Sequence, residues 1–91
     1  MTDQELLSAL KVDLGITVTA YDTRLGQYIA SAKEAIATEG ATLNTAGSFE
    51  DAQLVIMYAA WTWRRRDTME GMPRMLRWAL NNRIMAEKAG A

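Results

Sequence analysis

The chain has 91 residues, of which 49% are apolar and 23% are charged, proportions typical of one folded globular domain. It contains no cysteine and no histidine, which excludes disulfides, Cys/His zinc sites, thiol nucleophiles and imidazole bases. This composition leaves a carboxylate-only metal site or a Ser/Lys nucleophile as the alternatives. The acidic residues form neither a calcium-loop nor a paired-carboxylate spacing, so we expect no enzymatic activity, no metal and no cofactor.

The net charge of −1 is unevenly distributed along the chain. Residues 1–51 carry eight acidic and three basic side chains, a balance of −5, whereas residues 52–91 carry seven basic and three acidic ones, a balance of +4. Such asymmetry is compatible with nucleic-acid contact, with complementary charge between copies of one protein, or with two halves that face each other in one fold.

The first predicted helix runs from about Asp3 to Leu14. Thr2 and Glu5 have the spacing of a capping box, and Gly15 ends the segment. The N-terminus is acidic and polar, unlike a signal peptide. Four leucines form one apolar stripe: Leu6, Leu7, Leu10 and Leu14.

The second predicted helix spans about Ala20 to Glu39, with Thr19 as its N-cap and Gly40 as its end. Its apolar positions follow the i, i+3, i+4, i+7 spacing of a helix with one face to bury. These positions are Tyr21, Leu25, Tyr28, Ile29, Ala32 and Ile36.

The third predicted helix follows Ser48, its N-cap, and contains the unusually apolar segment QLVIMYAAWTWRRR, residues 53–66. One apolar stripe comprises Phe49, Ala52, Ile56, Ala60 and Trp63; a second comprises Leu54, Met57, Tyr58 and Trp61. The gaps between the two stripes are marked on one side by Val55, Thr62 and Arg66, and on the other by Gln53 and Arg64. Because both faces need partners, we expect this helix to be central. Its apolar run, Leu54 to Trp63, is about half the roughly 20 residues of a membrane span, so no membrane is expected.

The fourth predicted helix begins at Pro73, a favoured first-turn position, and continues to about Lys88. It too has two apolar faces. Leu76, Leu80 and Ile84 form the first, and Met75, Trp78, Ala79 and Met85 form the second. Between them runs a basic stripe of Arg74, Arg77, Asn81 and Lys88.

The second apolar face of this last helix exceeds what a four-helix domain needs. Exposure of Met75, Trp78 and Met85 would create an apolar patch of several hundred Å². We expect these residues to contact a partner surface. The alternative is that the DTMEG connection, residues 67–71, folds back over them.

The basic residues have two interpretations as well. Cations at a helix C-terminus stabilise it by ~0.3–1 kcal/mol each, which accounts for one or two of Arg64, Arg65 and Arg66. Three consecutive side chains point about 100° apart, so we expect at least one of them to reach a neighbour or a polyanion. Arg74 and Arg77 are further candidates for such contacts. Basic segments joined by a short turn also resemble a helix-turn-helix, so a small helical DNA-binding regulator is the alternative function.

Several stretches, read in order, resemble the small head-tail connector (adaptor) proteins of long-tailed bacteriophages and prophages. They are LKVDLGITVTAYDTRL, AKEAIATEGATL, EDAQLVIMYAAWTWRRR and MPRMLRWALNNRI. The resemblance extends from Leu10 to about Lys88 and depends on the order and spacing of the stretches, since no single motif is diagnostic. The short end EKAGA departs from relatives that carry a longer C-terminal segment.

The resemblance implies an all-α subunit of a structural ring, with about a dozen copies beneath the portal protein. Such a ring contacts a tail-side completion or tail terminator protein, and the genomic DNA passes through its lumen. It also implies a location at the head-tail junction of a virion, after synthesis in the bacterial host cytoplasm. Contacts to subunit or portal are expected from Arg64, Arg65, Arg66, Arg74, Met75, Arg77, Trp78 and Met85.

Overall fold

Four helices make up the fold in the computed structural model, which describes residues 1–68 and 71–90. They are α1 (Asp3–Leu14), α2 (Asp22–Glu39), α3 (Phe49–Arg64) and α4 (Arg74–Ala89), and a single 3₁₀ turn, Arg65–Asp67, follows α3. The described part of the chain contains no strand. The all-α prediction of about four helices is therefore confirmed.

Local sequence signals set most of the helix ends. The Thr2 hydroxyl accepts a hydrogen bond from the Glu5 amide while the Glu5 carboxylate accepts one from the Thr2 amide, which completes the predicted capping box. Gly15 ends α1 with a φ of 70°, and Gly40 ends α2 with a φ of 118°. Both values lie in the left-handed region that favours glycine, so both predicted stops are confirmed.

The predicted start of α2 was wrong by two residues. The helix begins at Asp22, and Tyr21 occupies the cap position without a side-chain hydrogen bond. The carbonyl of Thr19 accepts the Asp22 amide in a preceding turn, so Thr19 serves that turn rather than the helix. Tyr21 lies outside the buried stripe, and the edge of its ring contacts the ring of Trp63, with centroids 5.8 Å apart.

The third helix is central, as predicted, because it packs against α1, α2 and α4. Val55 was expected to mark a gap on its surface, but this side chain is fully buried. The gap closes because α3 packs against three other helices, so its buried arc is wider than two separate stripes. Phe49, in contrast, was assigned to an apolar stripe and is 69% exposed.

The fourth helix lies at the edge of the domain and packs chiefly on α3. Pro73 immediately precedes it, and Leu76 and Leu80 are its buried residues. The shortest dimension of the domain is 18 Å, which corresponds to about two layers of helices roughly 10 Å apart. A domain this thin has no third layer to cover the outer side of α4.

Candidate assembly surface

An apolar groove runs between α3 and α4, with a volume of about 460 Å³. We define this α3–α4 groove by its apolar lining, which comprises Phe49, Leu54, Met57, Trp78, Ala79 and Ala86. Met57 also lines a neighbouring depression beside Met75. The apolar surface is therefore continuous along the two helices.

The three apolar residues singled out in the sequence are all exposed in the single chain. Met75, Trp78 and Met85 expose 67%, 62% and 68% of their surface. Met75 and Trp78 border the continuous surface described above, and Met85 follows Trp78 by seven residues, which places it on the same side of α4.

The connection between α3 and α4 was the alternative cover for these apolar side chains. Its residues Met69 and Glu70 lie outside the described part of the chain. The indole Nε1–H of Trp61 donates a hydrogen bond to the carbonyl of Gly71 at 3.2 Å, so the end of the connection is held over Trp61. None of residues 67, 68 and 71 lines the groove beside Trp78.

The three consecutive arginines each make contacts within the chain. The Arg64 guanidinium donates to the carbonyl of Asp13 at 3.1 Å, which satisfies one of the free carbonyls at the end of α1. Arg65 stacks over Trp61 at 4.6 Å from the ring centroid, and Arg66 stacks over Trp63 at 3.9 Å. A partner is therefore not needed to explain these three arginines, although all three remain exposed.

The two candidate arginines at the start of α4 differ in their surroundings. The Arg77 guanidinium donates to the carboxylate of Glu39 at 2.8 Å and so joins α4 to the end of α2. Arg74 is exposed and forms no ion pair with the described residues. Arg74 consequently remains the candidate whose charge has no partner among residues 1–68 and 71–90.

A buried ion pair that the sequence reasoning missed holds α4 on α3. Arg83 Nε donates to Asp51 Oδ1 at 2.7 Å, and the same guanidinium donates to the carbonyl of Thr42 and to the carboxylate of Glu87. The Asp51 side chain is 5% exposed, and its second oxygen accepts the amide of Asn44. The pair thus joins α4, the start of α3 and the loop before it.

The pKa of Asp51 reflects two opposing influences. Burial of the carboxyl raises this pKa, but the hydrogen bonds from Arg83 and Asn44 and the charge of Arg83 outweigh the burial, so the pKa lies below its ordinary value. For Arg83, the hydrogen bonds to Asp51 and Glu87 raise the pKa of the guanidinium. Both groups are therefore charged at neutral pH. The sequence does contain a signal for the burial of Arg83, because this residue follows Leu76 by seven positions and so lies on the core-facing side of α4.

The chemistry available at this surface is that of contact. No group of three or more His, Cys, Asp or Glu side chains among residues 1–68 and 71–90 is arranged to hold a metal ion. None of the described helices has the length and hydropathy that crossing a bilayer requires. The surface consists of apolar side chains together with Glu50, Gln53, Asn82 and the ion pair of Asp51 with Arg83.

Comparison with known proteins found no match. No protein-family model, no curated protein and no solved structure is significantly similar to the chain.

Proposed function

We propose that this chain is a structural subunit that associates with copies of itself through the apolar surface of α3 and α4. The observation that carries the proposal is the exposure of Trp78 and Met75 beside the α3–α4 groove. Exposed apolar surface of this extent marks interaction sites in folded proteins. The polar residues that line the groove are Glu50, Gln53, Asn82 and the ion pair of Asp51 with Arg83, and no serine, threonine or lysine nucleophile is among them.

Burial of this apolar surface contributes more free energy to association than an exposed ion pair does. A buried tryptophan covers up to about 250 Å², so the 62% of Trp78 that is exposed corresponds to about 150 Å². At roughly 25 cal/mol per Å², its burial contributes about 4 kcal/mol. Met75 and Met85 add to this amount, whereas an exposed ion pair contributes only about 0–1 kcal/mol.

The biological assembly that we propose is the head-tail connector of a long-tailed phage. Support comes from the ordered resemblance of four stretches, from the all-α fold and from a spare apolar face on the helix at the edge of the domain. The ring of about a dozen copies would dock beneath the portal, carry a tail-side completion or tail terminator protein and surround the genomic DNA. Its location would be the virion.

The uneven charge of the chain supports association between copies only in part. Two ion pairs, Arg77–Glu39 and Arg83–Asp51, join the basic half of the chain to its acidic half within one molecule. Arg74 and Lys88 belong to neither pair and are exposed on α4. These two side chains are the ones that the proposal assigns to charged contacts with a neighbouring copy, the portal or DNA.

The alternative function, a small helical DNA-binding regulator, has less support. It requires basic side chains that are free to reach phosphates, and three of the five candidate arginines stack on aromatic rings or pair with a carboxylate. A regulator would shift duplex DNA in a gel at low salt as a monomer or dimer, with affinity that falls steeply as salt rises.

Sedimentation velocity over a dilution series tests the proposal. We expect the wild-type chain to form particles heavier than a dimer as concentration rises, and ring-shaped particles to appear in negative-stain images. Trp78→Ser should weaken association at least tenfold, whereas Gln27→Ser, which changes an exposed side chain on α2, should leave it unchanged. A wild-type chain that stays monomeric at every concentration would contradict the proposal.

A further inference from the structure

A polar cleft lies between α2 and α3, on a different face from the apolar groove. Its volume is about 430 Å³, and its floor contains the small side chains of Ala32 and Ala35. One polar stripe comes from α2 and comprises Arg24, Gln27, Tyr28 and Ser31. The other comes from the end of α3 and comprises Tyr58, Thr62 and Arg65. We call this surface the α2–α3 cleft.

The cleft and the α3–α4 groove can be occupied at the same time. Met57 lines the groove, whereas the next residue, Tyr58, lines the cleft. Consecutive side chains of a helix point about 100° apart, so these two neighbours face different surroundings. A copy that covers the groove therefore leaves the cleft open to another partner.

The lining of the cleft carries two positive charges. Arg24 and Arg65 belong to it, and no Asp or Glu of the described residues does. Neither arginine forms an ion pair with residues 1–68 or 71–90. The rings of Tyr28 and Trp63 are in contact, with centroids 5.3 Å apart, so the start of α2 lies beside the end of α3. Both arginines consequently belong to the same end of the cleft.

The acidic side chains near this end leave its charge largely uncancelled. Three of them lie beside a basic residue of their own: Asp22 beside Lys11, Asp67 beside Arg66 and Asp13 beside Arg64. Glu34 is ten residues farther along α2 than Arg24, which corresponds to about 15 Å of helix. That distance exceeds the roughly 8 Å over which exposed charges interact at physiological salt.

Aromatic rings hold both arginines without using most of their hydrogen-bond donors. Arg24 lies over the ring of Tyr28, 5.5 Å from its centroid, and donates to the amide oxygen of Gln27. Arg65 stacks over Trp61, and none of the arginine hydrogen bonds within residues 1–68 and 71–90 comes from it. Stacking uses the face of a guanidinium and leaves its N–H edges for an anion. A side chain that is already held loses less entropy when it binds.

The remaining polar groups of the cleft are of the kinds that contact phosphates. Guanidinium, amide and hydroxyl groups make most of the hydrogen bonds between proteins and the DNA backbone. The cleft combines its two guanidinium groups with the amide of Gln27 and with hydroxyls such as those of Ser31 and Tyr58. A row of these donors suits a chain of phosphates.

An acidic segment of another protein suits the cleft less well. Protein interfaces are anchored by aromatic or aliphatic side chains that fill apolar pockets. Apart from two tyrosine rings, the apolar lining here consists of Ala32 and Ala35. The rings of Tyr28 and Tyr58 pack edge to face against tryptophans of their own chain, with centroids 5.3 and 5.4 Å apart. An apolar anchor would therefore gain little area, whereas a phosphate backbone requires only the donors.

We propose that the α2–α3 cleft binds the phosphate backbone of duplex DNA, with Arg24 and Arg65 as its charged contacts. This inference rests on the proposed function and deepens it, because it names the face of the subunit that meets DNA. The charged contacts of Arg74 and Lys88 then belong to a neighbouring copy or to the portal. Phosphate contacts carry no sequence information, so duplexes of different sequence bind equally.

Two double variants that each remove two positive charges test the assignment. The cleft variant is Arg24→Gln with Arg65→Gln, and the matched control is Arg74→Gln with Lys88→Gln. All four side chains are exposed, so both variants should keep the wild-type circular dichroism and melting behaviour. Anisotropy of a fluorescently labelled duplex measures binding at protein concentrations at which the wild type assembles. The cleft variant should bind at least tenfold more weakly, and the control should change by no more than about threefold.

Salt dependence provides a second readout. Each phosphate contact contributes about −0.9 to the slope of log affinity against log salt concentration. The slope of the cleft variant should therefore be shallower by about 2, whereas the control should keep the wild-type slope. Equal losses of affinity and slope in the two variants would indicate unspecific attraction and overturn the inference.

Competition and assembly separate the remaining outcomes. Poly-glutamate that displaces the labelled duplex as readily as unlabelled DNA of equal charge would point to an acidic protein segment and overturn the inference. A wild type that assembles but binds no DNA at low salt would also overturn it, while the proposed self-association stands. Sedimentation of the same samples without DNA reports assembly separately, and a wild type that is monomeric at every concentration would refute the proposed function itself.

Discussion

Replacement of Arg83 by methionine tests the account of how α4 is held on α3. Methionine retains much of the length of the side chain but removes the guanidinium, which contacts Asp51, Glu87 and the carbonyl of Thr42. The substitution leaves the carboxylate of Asp51, whose side chain is 5% exposed, with the hydrogen bond from the Asn44 amide but without a cation.

The magnitude follows from the burial of the two partners. Removal of one partner of a fully buried ion pair costs about 3–5 kcal/mol. Arg83 is 21% exposed, and Asp51 keeps the hydrogen bond from Asn44, so we expect a loss of about 2–4 kcal/mol. Arg77→Met is the matched control: it removes an arginine-carboxylate pair from the same helix, but one that is 44% and 31% exposed, and should cost about 0–1 kcal/mol.

Urea denaturation at a concentration at which the chain is monomeric measures both free energies of unfolding. The pH dependence provides an independent check. In the wild type the pKa of Asp51 lies below its ordinary value of 3.8, so its contribution to stability is present above that pH and is lost as the pH falls through the lowered pKa. In Arg83→Met burial instead raises this pKa, and the contribution of Asp51 changes sign. Equal losses for Arg83→Met and Arg77→Met would refute the reasoning.

Three further predictions concern single positions, each checked by thermal or urea unfolding of the monomer. Thr2→Ala removes the capping box of α1 and should cost about 1 kcal/mol. Gly15→Ala forces a side chain into a backbone with a φ of 70° and should cost about 1–2 kcal/mol, although the added Cβ meets no atom within 4 Å. Leu80→Ala, at a fully buried position, should cost about 2–5 kcal/mol, whereas Trp78→Ser, two residues earlier, should cost less than about 1 kcal/mol while it weakens association.

The sequence predicts the helices well because their signals are local. The capping box at Thr2, the glycine stops and the apolar spacing of α4 each depend on neighbours within one or two turns. The start of α2 was harder to predict. Thr19 has the residue type of an N-cap, but its carbonyl accepts the Asp22 amide in a turn that precedes the helix. The burial of Val55 depends on the packing of neighbouring helices around α3, which the periodicity of one helix does not contain.

The candidate surface was predictable in its apolar part and not in its polar part. Exposure of Trp78 follows from counting apolar faces on a helix at the edge of a thin domain. The roles of Arg64 and Arg66 depend on a carbonyl at the end of α1 and on the position of a tryptophan ring, both set by tertiary structure. Arg83 was overlooked because an arginine on the core-facing side of a helix becomes meaningful only once Asp51 is placed opposite to it.

Hydroxyl-radical footprinting over a range of protein concentrations tests the central claim most directly. It compares the oxidation of Trp78, Met75 and Met85, which are all exposed in the single chain, with that of Tyr28 on α2. The account predicts that the rates of Trp78 and Met75 fall severalfold as the particles assemble while the rate of Tyr28 stays constant. Unchanged oxidation of Trp78 in assembled particles, or in a chain that never assembles, would contradict it.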